Sequence, residues 1–292
     1  QQAGMYAHWL AASFEQMLEL DLPSFDYITL HGVWSWIDAP ARHALVEFMR
    51  RRLKVGGVVY ISYNIMPGWS AEKPLRDLMR LHTELAGAPG DATANRIRGA
   101  IAFAERLRKG GAAFFEQDAR AGAMLDDMRR DDIHVVAHEY FNRSWHLTYF
   151  ADVARSLEAA GLSFACSVHK SDLVGEVGQK RQACRLPEGD MNAALRETTN
   201  DFLLNRRFRR DVFVRGAPEG LRIDRRSAWQ SDWFSLVQAY AAVKAAGFAI
   251  ALEQGGDWKQ VLTTMWGVDD MAVFITSEGE ILVYSGTDPS ST

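Results

Sequence analysis

The order of apolar and polar positions in the first quarter of the chain predicts a strand, a helix and a second strand. The segment 25–32, "FDYITLHG", is rich in aromatic and β-branched residues and ends on glycine, which is typical of a strand. Apolar residues then recur at helical spacing over 45–53, after Asp38 as a candidate N-cap and Pro40 in the first turn. The apolar segment 58–64, "VVYISYN", predicts the second strand.

A helix-length connection between two strands predicts a parallel βαβ unit. Ligands bind in such sheets beyond the carboxyl ends of the strands. The two ends here read "HGVWSW" and "YNIMPGW", so we expect their polar and aromatic residues to line one shared mouth. The residues concerned are His31, Trp34, Trp36, Tyr63, Asn64 and Trp69.

The rest of the chain alternates between helical and strand patterns. The predicted helices are 71–86, 96–109, 116–130, 147–160, 192–207, 233–246 and 258–266. The predicted strands are 8–14, 162–168 and 209–217, with a β-hairpin over 272–286. Between them, 86–95 is predicted as a loop and 138–145 as an irregular polar and aromatic stretch.

Composition narrows the class of protein. Of the 292 residues, 48% are hydrophobic and 24% are charged, and the net charge is −4. These values are ordinary for a globular chain with one large domain or two smaller ones. The lack of a basic excess argues against nucleic acid as a partner. No apolar run approaches the roughly 20 residues of a membrane helix, so no membrane insertion is expected.

Motifs for metal or phosphate binding are incomplete. Cys166 and Cys184 lack C-x-x-C spacing, which excludes a zinc ribbon and indicates reduced thiols in a cytoplasmic protein without a signal peptide. The pair His138 and Glu139 does not complete H-E-x-x-H, because residue 142 is Asn, so no metal is predicted. The stretch 205–216 carries five arginines between apolar residues, which favours an amphipathic element over a nucleic-acid patch.

The tryptophans of the predicted mouth have two interpretations. Large aromatic side chains are usually buried, so Trp34 or Trp36 alone is expected to be a core residue. As a pair beside Tyr63 and Trp69, at an edge where ligands bind, they favour a functional role. Aromatic faces suit a cationic guest, such as a sulfonium or a lysine ammonium.

Three segments resemble one family when taken in order: "FDYITLHGVWSWI", "LKVGGVVYISYNIMPGW" and "VAHEYFNRSWHLTYFADVARSLEAAGLSF". They are similar to class I S-adenosylmethionine-dependent methyltransferases that carry a methyltransferase regulatory domain, among them bacterial protein-lysine methyltransferases. The resemblance implies an α/β fold with a Rossmann-like sheet, incomplete at the N-terminus. It further implies a core over 1–86 and 141–216, a helical regulatory insertion over 87–140, and a small α+β, winged-helix-like module over 217–292.

The same resemblance implies roles for individual residues. It places Ser13 and Phe14 at the adenine of S-adenosylmethionine, and His31, Gly32 and Val33 at its methionine end. The residues expected around the acceptor are Trp34, Tyr63, Asn64 and Trp69.

The implied activity is methyl transfer from S-adenosylmethionine to a protein lysine. A small-molecule acceptor, or a degenerate fold that acts as a binding module, remains an alternative. The family's first strand and Gly-rich loop would precede residue 8, and this chain does not contain them. We therefore expect the chain alone to be inactive.

Overall fold

A computed structural model describes residues 7–86, 90–168, 176–184, 191–216, 271–275 and 281–285, with the backbone alone for 7–9, 176–178 and the last two ranges. The strands are β1 (Ala7–Leu10), β2 (Phe25–His31), β3 (Leu53–Asn64), β4 (Leu162–Ser167), β5 (Phe208–Arg215), β6 (Met271–Ile275) and β7 (Ile281–Ser285). The helices are α1 (Phe14–Met17), α2 (Ala39–Arg52), α3 (Lys73–Leu85), α4 (Thr93–Lys109), α5 (Ala113–Gln117), α6 (Ala119–Arg130), α7 (Ile133–Phe141), α8 (Phe150–Glu158), α9 (Glu176–Ala183) and α10 (Ala193–Leu204).

The predicted βαβ unit is confirmed in β2, α2 and β3. The two strands pair in parallel, with Ile28 opposite Val59. Helix α2 begins where expected, because the Asp38 carboxylate accepts from the amide of Ala41 at 3.0 Å and Pro40 lies in the first turn. The carboxyl ends of β2 and β3 therefore lie side by side, as the sequence predicts.

Seven strands form one sheet in the order β1-β7-β6-β2-β3-β5-β4. Strand β5 runs antiparallel between β3 and β4. Strands β6 and β7 pair with each other as an antiparallel hairpin and also join β2 and β1 in the sheet. The predicted helices 233–246 and 258–266 lie outside the described residues, and the module assigned to 217–292 stays a prediction.

Apolar residues form two separate cores. The first lies between the sheet and helices α1, α2 and α8, and includes Leu30, Phe48, Ile61 and Phe150. The second lies among α3, α4, α6 and α7, where Met79, Ala100, Leu125 and Val136 meet away from the sheet. A helical module over 73–141 thus has a core of its own beside the sheet.

Several predicted boundaries were wrong. The strand predicted over 8–14 ends at Leu10, and Phe14 instead begins α1, because Ser13 caps that helix. Residues 138–141, predicted as irregular, are the last turn of α7. Among the described helices, none combines the length and the apolar character needed to cross a membrane.

Candidate functional site

Hydrogen bonds tie the ends of β2 and β3 to each other. Strand β2 ends at His31, and Gly32 then turns the chain with a φ of 75°, a value that favours glycine. The Gly32 amide donates to the Ser62 hydroxyl of β3 at 2.8 Å. In return, the Asn64 amide donates to the hydroxyl of Ser35 at 2.8 Å. The turn after β2 is thereby fixed against the end of β3.

Three tryptophans form a row beyond these strand ends. The ring centroids of Trp36 and Trp145 are 6.5 Å apart, and those of Trp145 and Trp69 are 5.2 Å apart in a perpendicular arrangement. Two cations stack on this row. The Arg76 guanidinium lies 4.3 Å from the centroid of Trp145, and that of Arg207 lies 3.9 Å from the centroid of Trp69. We call Trp36, Trp69 and Trp145 the tryptophan row.

The segment 142–149 places Trp145 by crossing the strand ends. Its amide at His146 donates to the carbonyl of Ser35 after β2, and its carbonyl at Thr148 accepts from Met66 after β3. At its start, the buried guanidinium of Arg76 donates to the carbonyl of Asn142 at 2.6 Å. Burial lowers the pKa of Arg76 to about 10, so the group stays charged at neutral pH.

The predicted acceptor residues divide into two groups. Trp69 lies half-buried in the tryptophan row, and Asn64 lies half-buried beside the turn after β2. Trp34 instead lies in the first core, with 2% of its surface exposed. Tyr63 is fully buried and directs its hydroxyl to the carboxylate of Asp211. The structure therefore does not bring Trp34 and Tyr63 to the mouth with Trp69.

Tyr63 belongs to a buried ionic network. The carboxylate of Asp211 accepts hydrogen bonds from Nε and Nη2 of Arg209, at 2.7 and 2.9 Å. The same guanidinium reaches two carboxylates of α10, at 2.7 Å for Asp201 and 3.0 Å for Glu197. Burial raises the pKa of Asp201 to about 7 against the opposing effect of Arg209. Burial and the Asp211 charge also raise the pKa of Tyr63, which keeps its phenol protonated.

Several of the residues expected to bind the cofactor are buried or already hydrogen-bonded within the protein. The amide and hydroxyl of Ser13 are both used in a capping box with Gln16, and Phe14 and Val33 lie in the first core. His31 is half-buried at the end of β2, where its ring stacks on Tyr60 at 6.3 Å. Within the described residues, the end of β2 is thus the part that could face a cofactor.

Four contributors to the site were not predicted from the sequence: His138, Trp145, Arg76 and Arg207. The ring centroid of His138, in the last turn of α7, lies 5.6 Å from that of Trp36, with the two rings tilted by 45°. The aromatic content of 138–145 was a signal, but no periodicity connected it to the strand ends. For metals the expectation was none, and the described part of the chain holds no cluster of three or more metal-ligating side chains.

Comparison with known proteins assigns the segment that contains this network and Trp145. A family model described as "Predicted methyltransferase regulatory domain" matches residues 132–215. The segment 132–215 is thus similar to a methyltransferase regulatory domain, and we call it the regulatory domain. This domain runs from α7 to β5 and so includes Trp145, Asp201, Arg207 and Arg209. The match begins near the end of the 87–140 region that the resemblance implied as the regulatory insertion, so that boundary stays a prediction.

Two relatives match parts of the chain. The uncharacterized protein sll1526 of Synechocystis sp. is 38% identical over 237 residues, a match that covers 81% of this chain and 46% of that protein. The uncharacterized protein RP028 of Rickettsia prowazekii is 37% identical over 70 residues, which are 23% of this chain and 28% of that protein. The chain thus spans less than half the length of these relatives.

The fold is similar to that of a solved structure. The structure of PKMT2 from Rickettsia typhi in complex with AdoHcy matches with a TM-score of 0.50 and 22% identity, over 71% of this chain and 39% of that one. The α/β fold class and the resemblance to class I methyltransferases with a regulatory domain are therefore confirmed.

Proposed function

We propose that this protein transfers a methyl group from S-adenosylmethionine to the side-chain amine of a protein lysine. The regulatory domain over 132–215 and the methyltransferase fold support the reaction class. The complex of PKMT2 with AdoHcy supports the cofactor. The lysine acceptor is supported by the chemistry of the tryptophan row.

The single observation that carries the proposal is the guanidinium of Arg207 on the face of Trp69, at 3.9 Å. It shows that a nitrogen cation fits this aromatic face, which lies five residues beyond the end of β3. A lysine reaches the same place as an ammonium. An aromatic surface near the strand ends can hold its stem and align its nitrogen for in-line attack.

The reaction requires the acceptor nitrogen to lose its proton. The nitrogen lone pair then forms the new bond to carbon as the bond from sulfur to that carbon breaks. When bound, S-adenosylmethionine supplies the electrophilic methyl group. That proton leaves to solvent, and alignment contributes most to such a displacement. The residues proposed for this alignment are Trp69 and Asn64.

The partners follow from the same geometry. Two of the arginines that make 205–216 basic, Arg206 and Arg209, are 4% and 0% exposed and contact Asp201. They are thus turned away from any phosphate backbone, which supports a protein acceptor over nucleic acid. We propose a cytoplasmic location, because Cys166 and Cys184 form no disulfide in the structure.

The test has a binding part and a transfer part, both with the full-length protein. Isothermal titration with S-adenosylhomocysteine should give saturable heat, and its absence would count against the cofactor. Cell lysate incubated with cofactor labelled on the methyl group should then yield labelled protein bands whose hydrolysate contains methyl-lysine. Label found in small molecules alone would point to the alternative acceptor, and binding without any transfer would point to a non-enzymatic module.

A further inference from the structure

A buried carboxylate stands beside the aromatic face of Trp69. Glu72 follows Trp69 by one turn, since its amide donates to the Trp69 carbonyl at 3.2 Å. Its side chain is 2% exposed, and one carboxylate oxygen, Oε1, lies 3.0 Å from Nη1 of Arg207. The other oxygen, Oε2, is buried without a hydrogen-bond partner. A buried carboxylate with an unused oxygen is costly, and this cost favours a cation that contacts both oxygens.

The side chain of Arg207 occupies this place without being held there by its backbone. The carbonyl of Arg207 accepts from the Ile65 amide at 2.9 Å and from Trp69 Nε1 at 3.0 Å. These bonds fix the main chain to the loop after β3. The side chain itself is 46% exposed, so it can turn into solvent while the main chain stays in place.

Resting on the proposed function, we propose that Trp69 and Glu72 form the binding site for the acceptor ammonium, and that Arg207 of the regulatory domain occupies this site as an internal competitor. The aromatic face and the carboxylate are complementary to any alkylammonium. Arg207 supplies that cation in the resting protein. An incoming lysine must displace it, and the regulatory domain thereby sets how readily the acceptor binds.

Exchange of one cation for another keeps the charge of Glu72 compensated. Among the described ion pairs, Arg207 is the cation that contacts Glu72 directly, at 3.0 Å. Arg120, the next cation to sense that charge, is bound to Asp118 through two nitrogens. A lysine ammonium is compact and carries three rotatable donors on a flexible stem, so it can contact both Oε1 and Oε2.

Removal of the competitor should tighten binding of a lysine. The full-length protein and its Arg207→Ala variant are titrated with Nα-acetyl-lysine methylamide and with the norleucine analogue, which lacks the charge. We expect the variant to bind the lysine probe about three- to tenfold more tightly, the range of one cation–π contact. The norleucine analogue should bind weakly and equally to both proteins.

Matched variants separate this mechanism from a general loss of positive charge. Arg155→Ala removes an exposed arginine of the same domain that pairs with Asp152, and should leave the affinity unchanged. Glu72→Gln should weaken binding in the Arg207→Ala background. Arg207→Met keeps the aliphatic stem and loses the charge, so it replaces Arg207→Ala if that variant shows an altered circular dichroism spectrum.

Equal lysine affinity in the wild type and in both Arg207 variants would overturn the proposal. So would tighter binding in Arg155→Ala. The readout is binding and does not depend on catalysis. If S-adenosylhomocysteine fails to bind while Arg207→Ala still tightens the lysine complex, the methyl-transfer function fails and the cation site stands.

Discussion

The hydroxyl of Tyr63 at the end of β3 donates to the carboxylate of Asp211 on the neighbouring strand β5, and both side chains are fully buried. The two residues are far apart in the sequence. They meet because Tyr63 pairs with Arg209 in the β3–β5 ladder. This bond joins the end of a strand at the candidate site to the regulatory domain.

Breaking this network on one side should be strongly destabilising. Asp211→Asn removes the carboxylate that pairs with the buried guanidinium of Arg209 through two nitrogens, and we expect the free energy of unfolding to fall by about 3–5 kcal/mol. Urea denaturation followed by circular dichroism measures the change. Asp152→Asn, which alters an exposed pair on α8, should shift it by less than about 0.5 kcal/mol. A small loss for Asp211→Asn would mean that water reaches the network.

Asp201 should make stability fall as the pH rises. Its pKa goes from an ordinary 3.8 to about 7 in the fold, so the folded state binds the proton more tightly. Its contribution is complete below about pH 4 and is lost as the pH rises through 7. Asp201→Asn keeps an acceptor for Arg209 and removes this titration.

Stability curves from pH 5 to 8 therefore distinguish the two proteins. Relative to the variant, the wild type should lose about 1–3 kcal/mol over this range. Parallel curves would show that the Asp201 carboxylate is ionised throughout the range.

Gly68 should not tolerate a side chain. A Cβ at this position would lie 2.4 Å from the carbonyl oxygen of Arg206, which also accepts the Gly68 amide. Gly68→Ala should therefore destabilise the protein by about 1–3 kcal/mol. Gly99→Ala is the matched control. It lies within α4 with its nearest neighbour at 3.8 Å, and it should stabilise by about 0.5–1 kcal/mol. Thermal unfolding should thus show shifts of opposite sign.

Truncation of the Trp34 side chain should lower the stability of the fold. Because it is 2% exposed within the first core, Trp34→Ala should cost about 3–5 kcal/mol. Leu85→Ala, at a position 77% exposed, should change stability by less than about 0.5 kcal/mol. A Trp34→Ala protein that unfolds at the wild-type denaturant midpoint would contradict this role in the core and favour the sequence-based prediction that Trp34 lines the mouth.

Local patterns predicted the βαβ unit well, because its signals lie within a few residues of each other. Asp38 and Pro40 indicated the start of α2, and apolar runs rich in aromatic and β-branched residues indicated β2 and β3. The strand ends were therefore placed together correctly. Trp69 was expected among the residues there, and it does lie in the tryptophan row.

Long-range pairing decided the rest. Tyr63 faces the core because β5 pairs with β3 in a register that places Arg209 and Asp211 on the same side, and no local pattern encodes that register. Trp145 reaches the strand ends because the chain returns from α7 across them, which depends on the packing of the helical module. The division of the tryptophans between core and row is set by such contacts.

The loop that follows β3 is held by carbonyl groups from the far side of the regulatory domain. Arg206 and Arg207 accept the amides of Gly68 and Ile65, and Thr148 accepts that of Met66. We therefore expect the loop after β3 and the regulatory domain to be conserved together during evolution. A recombination event between 69 and 142 that introduced a different regulatory domain would also replace the hydrogen-bond partners of the loop after β3. The partners named here do not lie on helices α4 to α6, so exchange of those helices leaves the partners in place, and diversity among relatives should concentrate there.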